Sequence, residues 1–168
     1  MSSQIYELHR VEGEALLKMF NVRVIVLRAG TFIDIQKRME ALLGDEAAAL
    51  LYEVGIQAGR ESAKVLRREL NNQQENFLEK WAKFYQSAGA GWFKIEEINF
   101  RRRGASYIKI KQSFIAEEYG KSSKPVCHFL CGFLAGALQV ITGETLTCEE
   151  IKCVAKGDPY CKFRLIKI

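Results

Sequence analysis

This chain is predicted to fold as an α+β domain, an antiparallel sheet packed with several helices. Apolar residues recur at helical spacing through the first half, and short runs of strand character fill 92–115 and 145–168. Between those runs, residues 126–141 form a helix-length stretch that is apolar on every side and so belongs inside the domain. Nearly half of the 168 residues are apolar, and no linker or internal repeat divides them, so a single domain over 1–168 is expected.

Residues 22–27 read as a short strand, ended by the turn Arg28, Ala29, Gly30. Thr31 has the character of an N-cap, with Asp34 three residues on, and opens a helix to about Leu43 that Gly44 stops. A long helix follows Asp45 and runs to about Leu70, with Ala48, Leu51, Tyr52, Gly55, Gly59, Ala63 and Leu66 on one face. Gly55 and Gly59 would let another backbone come close. Asn71 and Asn72 break the pattern, and 73–88 is amphipathic, anchored by Phe77, Trp81 and Phe84 and stopped by Gly89 and Gly91. Residues 92–100 and 105–115 then form a hairpin, whose second strand sends Ile108, Ile110 and Phe114 to one face. A loop at 121–125 leads into the apolar helix. Its Gly132 and Gly136 leave one flank nearly bare, open to a sheet, a partner helix or a flat ligand. A last hairpin, 145–154 with 160–168, turns at Gly157, Asp158 and Pro159.

Cys127, Glu150, Cys153 and Cys161 supply three sulfurs and a carboxylate from two segments, a complete tetrahedral shell for zinc. With all four positions filled by protein, such a site is structural. If the final turn centres near Gly157, Cys153 and Cys161 face each other with Cβ atoms roughly 5 Å apart, which suits a shared metal or, alternatively, a disulfide. Glu150 is three residues from Cys153, an offset that puts it on the opposite face of a regular strand. A bulge between them is therefore expected, and without one Glu149 is the better-placed carboxylate. Cys131, Cys148 and His128 are the candidate substitute ligands. Three thiolates and a carboxylate around a divalent ion leave a charge of about −2 that calls for cations; Lys152, Lys156, Lys162 and Arg164 are the candidates.

The formal net charge is +5, and Arg101, Arg102 and Arg103 are consecutive. They precede Gly104 between two strands, as at a solvated hairpin tip, and no helix-turn-helix or aromatic-rich signature accompanies them, so nucleic acid is not an expected partner. The opening Met-Ser-Ser-Gln lacks a signal peptide's pattern, no apolar run reaches the ~20 residues of a membrane span, and five cysteines suit a reducing compartment. A cytoplasmic location is expected. No Ser/His/Asp arrangement or dinucleotide loop is visible, and a closed metal shell leaves no open position, so a binding role is expected before a catalytic one.

The run Cys127-His-Phe-Leu-Cys-Gly-Phe-Leu-Ala-Gly, then Glu150-x2-Cys153, Gly157-Asp158 and Cys161-x-Phe163, resembles the C-terminal signature of the 4-vinyl reductase domain family. The strand at 22–27, the Tyr52-x2-Gly55-x3-Gly59 helix and the Gly89-x-Gly91 lead-in extend the resemblance to about 20–168. It implies zinc held by Cys127, Glu150, Cys153 and Cys161, a homodimer, and a fold related to the vesicle-tethering TRAPP subunits. It also implies a pocket for a small aromatic molecule near the zinc, as in phenol- and xylene-sensing regulators, which recognise a phenol hydroxyl with a Trp and a His. Trp81 and Trp92, with His9 and His128, are the only residues here that could match that pair, so phenol is not the expected ligand. No Gly-x4-Gly-Lys-Ser/Thr loop occurs, so a stand-alone module is expected rather than a complete regulator.

The expected pocket lies between the 92–115 hairpin and the Cys127 helix, lined by Trp92, Phe100, Tyr107, Ile108, Phe114, Phe129 and Phe133. The expected function is a sensor or regulatory module that binds a small hydrophobic or aromatic molecule and acts through a partner protein. A scaffolding homodimer with a filled core and a reductase accessory in tetrapyrrole metabolism are the alternatives.

Overall fold

The computed structural model describes residues 9–10, 12–13, 16–69, 76–87, 91–101 and 104–168. The breaks expected at Asn71, Asn72 and Gly89, the helix start at Gln73, and Arg102 and Arg103 lie outside these residues. In chain order the elements are β1 (His9–Arg10), β2 (Leu17–Met19), β3 (Val22–Val24), α1 (Ala29–Leu43), α2 (Glu46–Glu69), α3 (Phe77–Ser87), β4 (Lys94–Asn99), β5 (Ser106–Lys111), α4 (Phe114–Tyr119), α5 (His128–Thr142), β6 (Leu146–Lys152) and β7 (Cys161–Lys167), with a 3₁₀ turn at Val154–Lys156. The first three strands form a small antiparallel meander. The other four make an antiparallel sheet in the order β4-β5-β7-β6, so the last strand lies between β5 and β6. The α+β architecture is the one the sequence predicts.

Alternation along the strands divides the sheet. Ile108 and Ile110 of β5, and Cys161, Phe163 and Leu165 of β7, are buried on the inner face. On the outer face Lys162 lies over the Tyr107 ring, Arg164 pairs with Glu149, and Lys109 and Lys111 both pair with Glu96. α5 is buried along nearly its whole length, as an all-round apolar helix must be, and packs on β6 and on α2. The α2–α5 contact is a glycine seam: a methyl group at Gly55, Gly59, Gly132 or Gly136 would collide with a carbonyl oxygen of the facing helix, respectively that of Phe129, Phe133, Tyr52 or Ile56. The two glycine pairs thus meet each other.

Polar side chains tie these layers at defined points. Gln36 of α1 is fully buried and donates through Nε2 to the Val126 carbonyl at 2.9 Å, and Glu40 accepts from the Tyr119 hydroxyl at 2.6 Å. α1 is thereby bound to the segment that leads into α5. Arg60 of α2 reaches Gln139 of α5, whose amide donates to the Leu146 carbonyl of β6. Arg67 donates to the Val140 carbonyl at 2.7 Å, satisfying an unpaired group at the end of α5.

The structure corrects several boundaries. The strand expected over 22–27 stops at Val24, and Ile25, Val26 and Leu27 run on without a ladder and exposed. α1 begins at Ala29 after Arg28, with no side-chain cap, so Thr31 lies inside the helix. β5 ends at Lys111, and Phe114 and Ile115 open α4, because Ser113 accepts a hydrogen bond from the Ala116 amide and caps a new helix. The signals for this were Ser113, acidic residues one turn later and Gly120 as the stop. The final connection is the 3₁₀ turn ended by Gly157 at φ 98°, with the ladder closing at Lys152 opposite Lys162.

Candidate metal centre and apolar cavity

Cys127 stands at the N-cap of α5, Glu150 on β6, Cys153 at the start of the 3₁₀ turn, and Cys161 at the first position of β7. The register of the β6–β7 ladder shifts between Glu150 and Lys152, the bulge that re-aims Cys153 onto the face of Glu150. One ligand atom from each of Cys127, Glu150, Cys153 and Cys161 lies within 4.8 Å of the others. Tetrahedral zinc with thiolate ligands places sulfurs about 3.8 Å apart, so this group could hold a metal ion. All five cysteines are free thiols, and the disulfide alternative is not present.

The hydrogen bonds around the group fit a cation. Glu150 accepts from the Cys127 amide through Oε2 at 2.9 Å, while its Oε1 is buried with no hydrogen-bond partner. A buried acceptor of this kind is costly unless something positive meets it. Burial, then the neighbouring Cys153, pushes the Glu150 carboxyl up to about 8, against the pull of the Cys127 amide. Hydrogen bonds from Cys127 and Cys161 hold Cys153 far below the usual thiol range. Cys127 is raised well above it, by burial first and then by its bonds to Cys153 and Cys161. For Cys161, the Cys127 bond pulls down, but the bond to Cys153 and burial outweigh it and the thiol is raised. One buried thiolate is therefore solvated by its neighbours' protons, the arrangement a divalent ion would replace by displacing those protons.

Supporting contacts fix the loop. The Cys153 amide donates to Asp158 at 2.9 Å, the Val154 amide to the Cys161 sulfur at 3.4 Å, and Ser113 Oγ lies 3.6 Å from the Cys127 sulfur. Of the substitute ligands, Cys131 and Cys148 neighbour each other as a separate buried pair, and the Cys148 amide donates to the Tyr52 hydroxyl. Burial lowers His128. The cations expected to balance the centre are placed otherwise: Lys152 and Lys162 stack on Tyr160 and Tyr107, Arg164 pairs with Glu149, and Lys156 is exposed. Strand alternation sends these groups to the outer face.

An apolar cavity of about 700 Å³ lies beside this centre. One wall is the irregular segment from Val24 to Arg28 with Met19; the other is built by Ala58 and Ser62 of α2, Tyr85 of α3, Trp92, Phe114 of α4 and Phe133 of α5. Phe32 of α1 closes one end. The aromatic rings brace one another, with Trp92 5.6 Å from Phe133 and 5.7 Å from Phe129, and Phe32 5.4 Å from Phe129. Three of the ring residues expected to line a pocket, Trp92, Phe114 and Phe133, do line this one, with Phe129 behind them. Ile108 is instead packed completely into the core, Tyr107 faces outward and bonds Glu97, and Phe100 lies beneath the Lys167 ammonium. Sequence reasoning missed Met19, Val24 to Leu27, Phe32, Ser62 and Tyr85. The 22–27 apolar run was a visible signal, but it read as a strand.

The segment that carries the metal centre also matches a family model, that of the 4-vinyl reductase domain, over residues 106–167. Those residues form a 4-vinyl reductase domain. The resemblance carried by the sequence is thus shown, and all four clustered residues fall inside the match, whereas most of the cavity wall precedes it. A Methanocaldococcus jannaschii protein is 28% identical over 147 residues, 88% of this chain and 72% of that protein. The phenol regulator MopR of Acinetobacter guillouiae is 26% identical over 151 residues, 83% of this chain but only 27% of the regulator. The chain also spans about half, 54%, of a second M. jannaschii relative. Among solved structures, the phenol-responsive sensory domain of the transcription activator PoxR superposes with a TM-score of 0.72 at 22% identity, covering 95% of this chain and 84% of that one. A trafficking protein particle complex subunit 3 from Naegleria fowleri gives 0.59 at 14% identity, covering 83% and 95%. These likenesses establish the fold, shared with 4-vinyl reductase domains and TRAPP subunits, as expected. No described helix is long and apolar enough to cross a membrane.

Proposed function

We propose that this chain is a zinc-stiffened 4-vinyl reductase module that takes a small hydrophobic or aromatic molecule into its cavity and passes that information, as a homodimer, to a separate regulatory partner. The observation that carries the reading is the shared framework of cavity and metal cluster. Phe114 lines the cavity while its neighbour Ser113 touches the Cys127 sulfur, and α5 carries both Cys127 and Phe133. Cys127, Cys153, Cys161 and Glu150 would hold the zinc, which supplies a closed structural shell and fixes the geometry of that framework. A ligand that favours one arrangement of Phe114 and α5 shifts the module only by its unequal affinity for the two arrangements.

The likeness to the sensory domain of PoxR and to MopR supports a sensing role, and a cavity of this volume falls within the range of small-molecule sites. Trp92 lines the cavity, but no histidine does among the described residues, so the ligand is expected to differ from phenol. Exposed apolar side chains, Ile35 and Leu42 on α1 and Leu50 and Val54 on α2, support self-association. Native mass spectrometry of freshly purified protein tests the proposal. It predicts one zinc per chain, a dimer and a co-purified or added apolar compound. A metal-free monomer whose melting temperature no compound of a broad hydrophobic library changes would remove its support.

A further inference from the structure

The cavity wall is apolar except at two places, and the two differ in kind. Arg28 is exposed at the rim, where solvent screens its charge. The other place is inside: Ser62 and Tyr85 both line the cavity, and their hydroxyl oxygens are 3.3 Å apart. Two hydroxyls carry two protons, and their mutual bond uses one, which leaves one O–H and free lone pairs for a third group. Tyr85 is rigidly held, stacked on Phe93 at 4.7 Å and 7° and set edge-on to Phe133. Burial raises its phenol to about 12, so it is a neutral donor at physiological pH. No Asp, Glu, Lys or His lines the cavity among the described residues. A carboxylate drawn inside would lose its hydration with no charge to meet it, whereas an uncharged oxygen would find a fixed partner.

Resting on the reading of this cavity as a ligand site, we propose that the Ser62–Tyr85 hydroxyl pair is its polar anchor and selects an uncharged ligand, an apolar body of ring size or larger bearing one hydroxyl or carbonyl oxygen. Fluorescence titration of the full chain with naphthalene, 2-naphthol and 2-naphthoate tests this in wild type, Tyr85→Phe and Ser62→Ala. Wild type is expected to bind 2-naphthol about tenfold more tightly than naphthalene, and 2-naphthoate more weakly than 2-naphthol. In Tyr85→Phe the preference for 2-naphthol should fall to about one while naphthalene affinity stays unchanged. Ser62→Ala, which leaves the ring cluster intact, should reduce the preference too. A preference that survives both substitutions, equal binding of 2-naphthol and naphthalene by wild type, or 2-naphthoate binding as tightly as 2-naphthol overturns the anchor and leaves the ligand site standing. Failure of all three probes to bind wild type overturns the ligand-site reading itself.

Discussion

Replacing Gly136 by alanine probes the contact on which the interior is built. The added Cβ would collide with the Ile56 carbonyl oxygen and stand 2.8 Å from the carbonyl carbon and 2.9 Å from Cα of that residue, where ordinary contact begins near 3.4 Å. All three atoms are backbone of α2, so no rotamer change relieves the clash, and the helices must part by at least about 0.6 Å along a close-packed seam. Overpacking of this kind costs about 1–3 kcal/mol, and backbone against backbone belongs at the upper end. Alanine recovers up to ~1 kcal/mol of helix propensity, leaving a net loss of about 2 kcal/mol. With a urea slope of about 2 kcal/mol per molar, the midpoint of a circular-dichroism unfolding curve should fall by about 1 M. Gly30→Ala is the control: its Cβ would meet only the Arg28 guanidinium, at 3.8 Å, so the midpoint should hold or rise slightly. A Gly136→Ala midpoint equal to or above wild type would refute the argument.

Removing bound metal with a chelator, or changing Cys161 to Ser, should lower the melting temperature by about 10 °C, since a tightly held ion contributes roughly 4 kcal/mol at 1,000-fold excess over its dissociation constant; differential scanning calorimetry with and without added zinc checks this. Tyr85 keeps its proton up to about 12 when folded, whereas the unfolded chain releases it near pH ~10. The folded state therefore binds more protons above pH ~10, and the Tyr85 contribution of about 2–3 kcal/mol is present below pH ~10 and is lost as pH rises toward ~12. Urea curves of Tyr85→Phe should lack that part of the decline. Arg67→Ala should cost about 1–2 kcal/mol by releasing the Val140 carbonyl at the end of α5 and the stacking on Phe77, read as a lower urea midpoint.

The metal group was legible because soft-metal chemistry restricts ligands to a few residue types, and because the two-residue period of a strand required an irregularity between Glu150 and Cys153. The register shift at Glu150 meets that requirement. The all-apolar helix and the two glycine pairs were visible for a similar reason, since composition alone puts such a helix inside, although which helices meet depends on the tertiary fold. The cavity was harder. Its outer wall is an apolar stretch that looks like strand but makes no ladder beyond Val24, and its polar spot depends on Ser62 and Tyr85 arriving from two helices. Phe114 was expected to face inward from a strand; it does line the interior space, but from the start of a helix that Ser113 caps.

The unequal walls of the cavity have a consequence for how such a protein changes over time. One side is shared with the glycine seam and the ring cluster, so substitutions there threaten folding itself. The other side, Val24 to Arg28, carries no strand pairing beyond its first residue and faces water, so its residues can be exchanged at little cost to stability. A lineage built on this plan can retune which molecule it accepts by editing a short run of consecutive codons while the rest of the chain stays fixed.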